Sequence, residues 1–588
     1  MKQFFKYVFA SLTASIIIFI IVAIGVAGIA VSLSASDEVV LENNSVLKLS
    51  FNYTIDDQDV AKPFNLFGGV SPNIGKATGL NTILASINHA KNDPNIKGIF
   101  LDLNFIGAGF AKIEEIREAI IDFKKSKKFV IAYADYYYEN TYYLASVADK
   151  IYLNPEGEVL FNGLSANVTF FKNALEKLGI DMQVIRHGKF KGAVEPFILD
   201  KLSAENRKQM EEYLHSIMHN LSKKIAISRN LTPQRVNELA DKWITQSNEA
   251  AVKCGLIDKL CYKDEVLDGI KNLLGLKDKK SKDISFISLN KYQKTFNDNQ
   301  GVREGKIAIL YADGEIVMGK GEKGQIGSET FSELVRKLRE DEKIDAVVLR
   351  INSPGGSAQA SDIIWRELNL LHAKKPLIVS MAEVAASGGY YMASPADTIV
   401  AQPYTLTGSI GVFGLVPNMQ KLLNDKLGIT HDYVTTGQFS DFGRFDRPLN
   451  TGEYQIIQNS VEKIYDTFVT RVSEGRHISK QSVDSIGQGR VWTGEQGMQI
   501  KLVDVLGGMS KAIEIAKFKS KLSNCRIVEY PQPKSLLEEL LAMFSGEEQT
   551  RAALESEFGQ WYTLHKTIKS LSETTGIQAR VPFQLVLE

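Results

Sequence analysis

An internal duplication constrains this chain more than any other feature. Tyr142-Tyr143 and Ala148-Asp149 recur as Tyr390-Tyr391 and Ala396-Asp397, both at one offset, 390 − 142 = 248 and 397 − 149 = 248. Lys97 to Asn104 matches Asp345 to Asn352, each an apolar run with the length of a buried strand. A helical pattern precedes each run, Leu80 to Ala90 in one half and Phe331 to Arg339 in the other, and Leu178-Gly179-Ile180 returns as Leu427-Gly428-Ile429. Short strands alternating with helices predict an α/β fold in each half, with parallel strands and helices packed outside them.

The copies differ where chemistry would sit. Ser387, in Ala386-Ser387-Gly388-Gly389, stands opposite Glu139, and Lys191 stands opposite Ser440 at an offset of 249. A serine kept by one copy and a lysine kept by the other predict one composite site.

At 588 residues the chain exceeds a single core. Lys+Arg and Asp+Glu are equal at 69 each, so no net field favours nucleic acid or an acidic partner. Tyr7 to Ala35 is uncharged and apolar; at about 1.5 Å per residue it outruns a hydrocarbon core of roughly 30 Å and predicts one transmembrane helix. It is longer than the apolar core of a cleaved signal, although Ala30-Val31-Ser32 faintly resembles a cleavage site. Lys2 and Lys6 precede it, which predicts that the amino end stays inside and the remainder lies outside. Cys254, Cys261 and Cys525 are too few for a disulfide framework; Cys254 and Cys261 could pair, but buried thiols are the simpler reading, and no zinc spacing is present.

The expected organisation is an anchor over 1–36, a first repeat over 37–300, a second over 301–530 and a tail over 531–588. Lys277 to Glu304, polar and charged, reads as the linker between copies, and the second copy begins near Lys306. The tail has no counterpart in the first copy; packing or oligomer contact is its default reading.

Asn352-Ser353-Pro354-Gly355-Gly356-Ser357 follows a buried strand and precedes a helical pattern from about Ala360 to Leu371. Without Cβ atoms, Gly355 and Gly356 free backbone N–H groups to converge on an anion, as in an oxyanion hole, although Pro-Gly-Gly also spells a tight turn. The strand Leu377 to Met381 leads into Ser387, whose strand-to-helix position would expose its hydroxyl and set the Gly388 N–H at a helix start. Simple small-residue packing competes with that reading. The turn is not the Gly-x-Ser-x-Gly elbow, since Ala385 holds the first glycine position.

A base is also required. Lys191 lies among Phe190, Gly192, Ala193, Val194 and Phe197, an environment that favours the neutral amine. Moving a lysine from about 10.4 toward about 7 takes roughly 4 kcal/mol, within reach of burial. Glu195, four residues on, could instead pair with Lys191 and keep it charged, and His187 leaves a Ser-His arrangement open. Gly319 to Gly324 spells a dinucleotide fingerprint but is charged and reads as a surface loop; His215 and His219 lack the glutamate of a metalloprotease helix and read as surface residues.

Four ordered segments, Ser353-Pro354-Gly355-Gly356-Ser357, Ala386-Ser387-Gly388-Gly389-Tyr390, Thr407-Gly408-Ser409-Ile410-Gly411 and Lys191-Gly192-Ala193-Val194-Glu195-Pro196-Phe197, together resemble the signal peptide peptidase A (protease IV) serine peptidases in their long tandem form. With the anchor, the resemblance covers about residues 1 to 525. It implies a ClpP/crotonase-like fold in each half after one N-terminal transmembrane helix, with Ser387 as nucleophile and Lys191 as general base. It further implies that Ser409 hydrogen-bonds the lysine and that Gly388 with Gly355 or Gly356 forms the oxyanion hole. No cofactor or metal is implied. The implied assembly is a bowl-shaped homotetramer on the bacterial inner membrane, with its catalytic domains outside the cytoplasm, that degrades released signal peptides. Gly192 departs from the pattern, where a serine or similar small residue is expected. Two rival readings are a crotonase-type acyl-CoA enzyme, which would not need Lys191, and a non-catalytic membrane scaffold, which would need neither residue.

Overall fold

The structure is a computed structural model describing residues 39–59, 78–276, 280, 283–296, 304–532 and 577–581, with most positions between 3 and 20. In the first copy the strands are β1 (Ser45–Leu49), β2 (Ile96–Asp102), β3 (Phe129–Tyr137), β4 (Lys150–Val159), β5 (Asp181–His187), β6 (Lys259–Leu260) and β7 (Phe286–Ser288). All but β5 form one parallel sheet, in the order β6-β4-β3-β2-β1-β7. Ile99, Phe100 and Leu101 on β2 are all buried, as a parallel sheet covered on both faces requires.

The second copy contributes β8 (Gly305–Asp313), β9 (Glu315–Val317), β10 (Gln325–Gly327), β11 (Ala346–Ser353), β12 (Gly355–Ser357), β13 (Leu377–Ala386), β14 (Thr398–Ala401), β15 (Leu406–Gly408), β16 (Val412–Asn418), β17 (Val491–Thr493), β18 (Val505–Leu506) and β19 (Cys525–Tyr530). Its parallel strands run β18-β14-β13-β11-β8-β19, which reproduces the first sheet position by position. The duplication seen in the residues is therefore a duplication of topology.

A third sheet belongs to neither copy alone. Its order is β10-β9-β12-β20-β16-β5, where β20 is Ile577–Arg580 of the tail. Strand β5 leaves its own copy and pairs antiparallel with β16 of the other, with Val412 opposite His187 and Asn418 opposite Asp181. The copies also share a buried charge network. The Arg350 guanidinium donates to Asp57 at 2.9 Å and to Glu115 at 2.7 Å, and Glu383 accepts the Lys112 N–H at 2.9 Å. Stranding such a charge costs about 3–5 kcal/mol, which penalises any other seating of the two copies.

The linker reading is revised. The expected linker contains β7, which pairs with β1, and Ile287, Leu289 and Tyr292 are buried there; too few apolar residues occur in a row to reveal periodicity. The tail, expected to pack or to make an oligomer contact, packs through a strand of the third sheet. Most of the predicted membrane segment lies outside the described residues; the described positions between 3 and 20 are helical and exposed, and among the described residues no helix is long and apolar enough to cross a membrane.

Candidate active site

Strand β13 ends at Ala386, and the next residue, Ser387, adopts φ +55° and ψ −116° before the helix Gly388–Ala393 begins. A positive φ at a residue with a Cβ is strained and persists only where the surroundings enforce it. Here the Ser387 N–H is fixed to the Gly408 carbonyl at 2.8 Å, and Gly389 packs so closely that a Cβ on it would stand 2.8 Å from the Ser353 carbonyl oxygen. The turn holds the hydroxyl of Ser387 at the seam where the third sheet meets the second.

Lys191 reaches the same seam because β5 pairs with β16. Beyond His187 the chain turns at Gly188, φ +90°, and the Phe190 N–H donates to the Gln488 carbonyl at 3.1 Å. The lysine lies 2.8 Å from Ser387 Oγ and 3.0 Å from Ser409 Oγ through its Nζ, and 3.3 Å from the Ser409 carbonyl. Lys191, Ser387 and Ser409 are all fully buried. Burial alone pushes the Lys191 amine well below the ordinary lysine range. A neutral amine carries a lone pair able to accept the Ser387 proton.

The alternatives raised by the sequence resolve by position. Glu195 makes no pair with Lys191: it accepts the Ser203 N–H at 3.1 Å and faces Arg186 at 3.7 Å. His187 is engaged elsewhere, with Nδ1 2.6 Å from Glu462 and its ring stacked on Tyr465. His215 and His219 lie exposed on the helix Ala204–Arg229, and Gly319 to Gly324 forms turns. Cys254, Cys261 and Cys525 form no disulfide with one another. Gly192, the departure from the family pattern, has a local cause, since a Cβ on it would stand 2.5 Å from the Asn206 amide.

Gly355 and Gly388 approach each other across the site: a Cβ placed on Gly355 would stand 2.8 Å from the Gly388 nitrogen. Gly355, at φ +97°, lies in a region open to glycine and little else. Its own N–H donates to Ser353 Oγ at 3.2 Å, so within the pair Gly356 is left to turn its N–H toward a ligand. All six residues singled out in the sequence, Ser387, Lys191, Ser409, Gly355, Gly356 and Gly388, thus meet at one place.

Two glycines without a role in the sequence reading shape the lysine's slot. A Cβ on Gly489, φ +82°, would stand 2.7 Å from the Lys191 Cα, and one on Gly411 3.3 Å from its Cδ. The spelling Gly487-Gln488-Gly489 signals a tight backbone approach but says nothing about what approaches.

The model of peptidase family S49 matches residues 122–277 and again 369–523, a second match shifted by 369 − 122 = 247 residues. "Protease 4" of Haemophilus influenzae is 37% identical over 447 residues, covering 74% of this chain and 72% of that protein. "Serine protease SPPA, chloroplastic" of Arabidopsis thaliana is 32% identical over 553 residues, covering 92% and 78%. "Putative signal peptide peptidase SppA" of Enterococcus faecium is 32% identical over 237 residues, covering 39% and 68%. The two matches to the family model take in both copies, with Lys191 in the first and Ser387 in the second. The chain belongs to peptidase family S49, and it is a serine peptidase.

Proposed function

We propose that the chain is a membrane-anchored endopeptidase working through a Ser387/Lys191 dyad on apolar peptides, released signal peptides among them. The observation that carries this reading is the buried Lys191 amine, free of any carboxylate partner among the described residues and 2.8 Å from Ser387 Oγ. Ser387 O–H donates to the lone pair of Nζ. As Oγ attacks a peptide carbonyl, Lys191 takes the proton, and the N–H groups of Gly388 and Gly356 receive the oxyanion. Lysine returns the proton to the leaving amine, and water, activated by the same amine, hydrolyses the acyl ester. Ser409 positions the lysine. The crotonase-type alternative leaves the lysine without a task, and a scaffold leaves both residues without one.

The anchor belongs to this proposal through the uncharged stretch from Tyr7 to Ala35 and the lysines ahead of it, which set the peptidase outside the cytoplasm on the bacterial inner membrane. So does a ClpP/crotonase-like fold in each copy. Assembly into a homotetramer is supported by the repeat itself. The segment equivalent to β5 at the offset of 249, residues 430–436, has no strand partner among the described residues, and Tyr433 and Val434 in it are exposed. The segment equivalent to β16 at the offset of 248, residues 164–170, forms no strand among the described residues either, beyond an isolated bridge at Ala166. Pairing 430–436 of one chain with 164–170 of the next repeats the β5–β16 contact head to tail, and such a contact closes into a ring when its rotation permits.

The test is hydrolysis of an apolar reporter peptide by Ser387→Ala and Lys191→Ala, each expected to lose at least about 1,000-fold in kcat/KM with circular dichroism unchanged. Substantial activity in either variant sinks the dyad.

A further inference from the structure

Strand β20 lies where a substrate would lie. It is inserted between β12, which carries Gly355 and Gly356, and β16, which follows Ser409 and Ile410. Against β12 it runs antiparallel, with Gly355 opposite Arg580, Gly356 opposite Ala579 and Ser357 opposite Gln578; against β16, Phe413 stands opposite Gln578 and Gly414 opposite Ile577. An extended segment held on both sides by backbone ladders is the way a peptide adds to an open sheet, with main-chain bonds that ignore its sequence.

The register places one carbonyl at the site. The Val581 N–H donates to the Pro354 carbonyl at 2.8 Å. Antiparallel ladders exchange hydrogen bonds at every second pair, so the next exchanging pair is Gly356 with Ala579, which turns the Gly356 N–H toward the Ala579 carbonyl. The same oxygen stands 2.0 Å from the point a Gly355 Cβ would occupy, a point itself 2.8 Å from the Gly388 nitrogen, and 3.2 Å from the point a Gly388 Cβ would occupy. Ala579 therefore presents its carbonyl to the N–H groups assigned to the oxyanion, beside Ser387, and the residue as a whole is 1% exposed. A side chain of any size at 355 would evict it.

From this geometry we propose that the chain's own carboxyl-terminal segment is a substrate of its Ser387, cut between Ala579 and Arg580; the proposal rests on the dyad reading above. Ser387 Oγ bonds to the Ala579 carbonyl carbon, and its proton passes to Lys191. The Ala579–Arg580 C–N bond breaks, and Lys191 delivers that proton to the Arg580 nitrogen. Water then splits the acyl ester, adding its hydroxyl to Ala579 as a new carboxylate and its hydrogen to Ser387 Oγ. The residues removed number 588 − 579 = 9, Arg580 to Glu588. Until the bond is cut, the strand occupies the groove that any other peptide needs.

Intact-mass spectrometry of the purified full chain tests this, with hydrolysis of an unrelated apolar reporter peptide measured on the same preparation. Wild type is expected to end at Ala579, Ser387→Ala to retain Glu588, and the intact Ser387→Ala chain to stay intact when mixed with equimolar wild type. Wild type that hydrolyses the reporter yet keeps Glu588 overturns self-cleavage and leaves the dyad standing. Wild type that does neither overturns self-cleavage, and the full chain carrying Ala579→Pro, which breaks the ladder pair with Gly356 and frees the groove, then separates the two readings: reporter hydrolysis leaves the dyad standing, and none overturns it as well. Loss of the nine residues from Ser387→Ala alone assigns the cut to another protease, and loss only on mixing assigns it to a second chain; either result overturns cleavage by the chain's own site.

Discussion

Ile185 and Val434 occupy the same position in the two copies, at the offset of 249, and their fates are opposite: Ile185 is 0% exposed on β5, and Val434 is 100% exposed. In the first copy the strand crosses to β16 and delivers Lys191 to Ser387. In the second, the corresponding chain delivers Ser440 to an exposed turn. The site behind it differs in step. Glu139 replaces Ser387 and accepts the Asn162 N–H at 3.0 Å, and the buried Phe161 stands where the second copy has Ser409. One duplicated topology thus holds a complete site and a plugged one, and the crossing strand is what separates them.

The sharpest way to break this comparison is to ask whether Val434 is exposed in solution. If 430–436 is the β5 of a neighbouring chain, Val434→Asp sets a charge in a strand interface and should convert the assembly to single chains, read by light scattering. Wild type already present as single chains, or an assembly indifferent to the substitution, would leave the exposed segment without the partner proposed for it. Burying an unpaired carboxylate costs several kcal/mol, enough to dissociate an interface built on short strands.

A smaller effect separates the two copies at one glycine. Gly411 and Gly163 correspond at the offset of 248, yet a Cβ on Gly411 meets Gly489 at 2.6 Å and Lys191 at 3.3 Å, whereas nothing lies within 4 Å of one on Gly163. Gly411→Ala should displace the lysine and lower kcat/KM by about 100-fold, the scale of a misplacement near 1 Å. Gly163→Ala should leave activity intact and cost only the strain of its φ of +97°, about 1–2 kcal/mol, seen in denaturant unfolding. Equal losses in activity would mean that the plugged copy still shapes the working site.

These contrasts divide what the sequence conveys from what it does not. Local signals carried far: the apolar run now β11, the serine at the end of β13 and the alternation of strands and helices all lie where pattern and turn residues put them. The offset between copies marked Ser387 and Lys191 as survivors of a duplication. Their meeting was not legible, because it depends on β5 pairing across copies with a strand more than two hundred residues away, and such pairing leaves no periodicity behind. Residues 577–580 were illegible for the same reason, a short strand whose partners are Gly355 to Ser357 and Phe413-Gly414. The linker reading failed on composition: charged neighbours masked Phe286 to Ser288, an edge strand with one buried residue in three.

Ser409 against Phe161 gives the finest test, because it isolates the positioning of the lysine from its acidity. The working species is the neutral amine, so kcat/KM should climb about tenfold per pH unit while Lys191 remains protonated and level off above its pKa, which burial holds well below the ordinary value. Ser409 Oγ, 3.0 Å from Nζ, can accept from the amine in either state and favours the charged one more. Ser409→Ala should therefore lower the plateau by about 10-fold, the kinetic equivalent of one hydrogen bond near 1.4 kcal/mol, and should move the climb to lower pH, since the ammonium loses an acceptor and the burial that disfavours it remains. A climb displaced to higher pH would make Ser409 a device for keeping the amine neutral instead of one for aiming it. An unchanged plateau would leave the difference between Ser409 and Phe161 to packing alone.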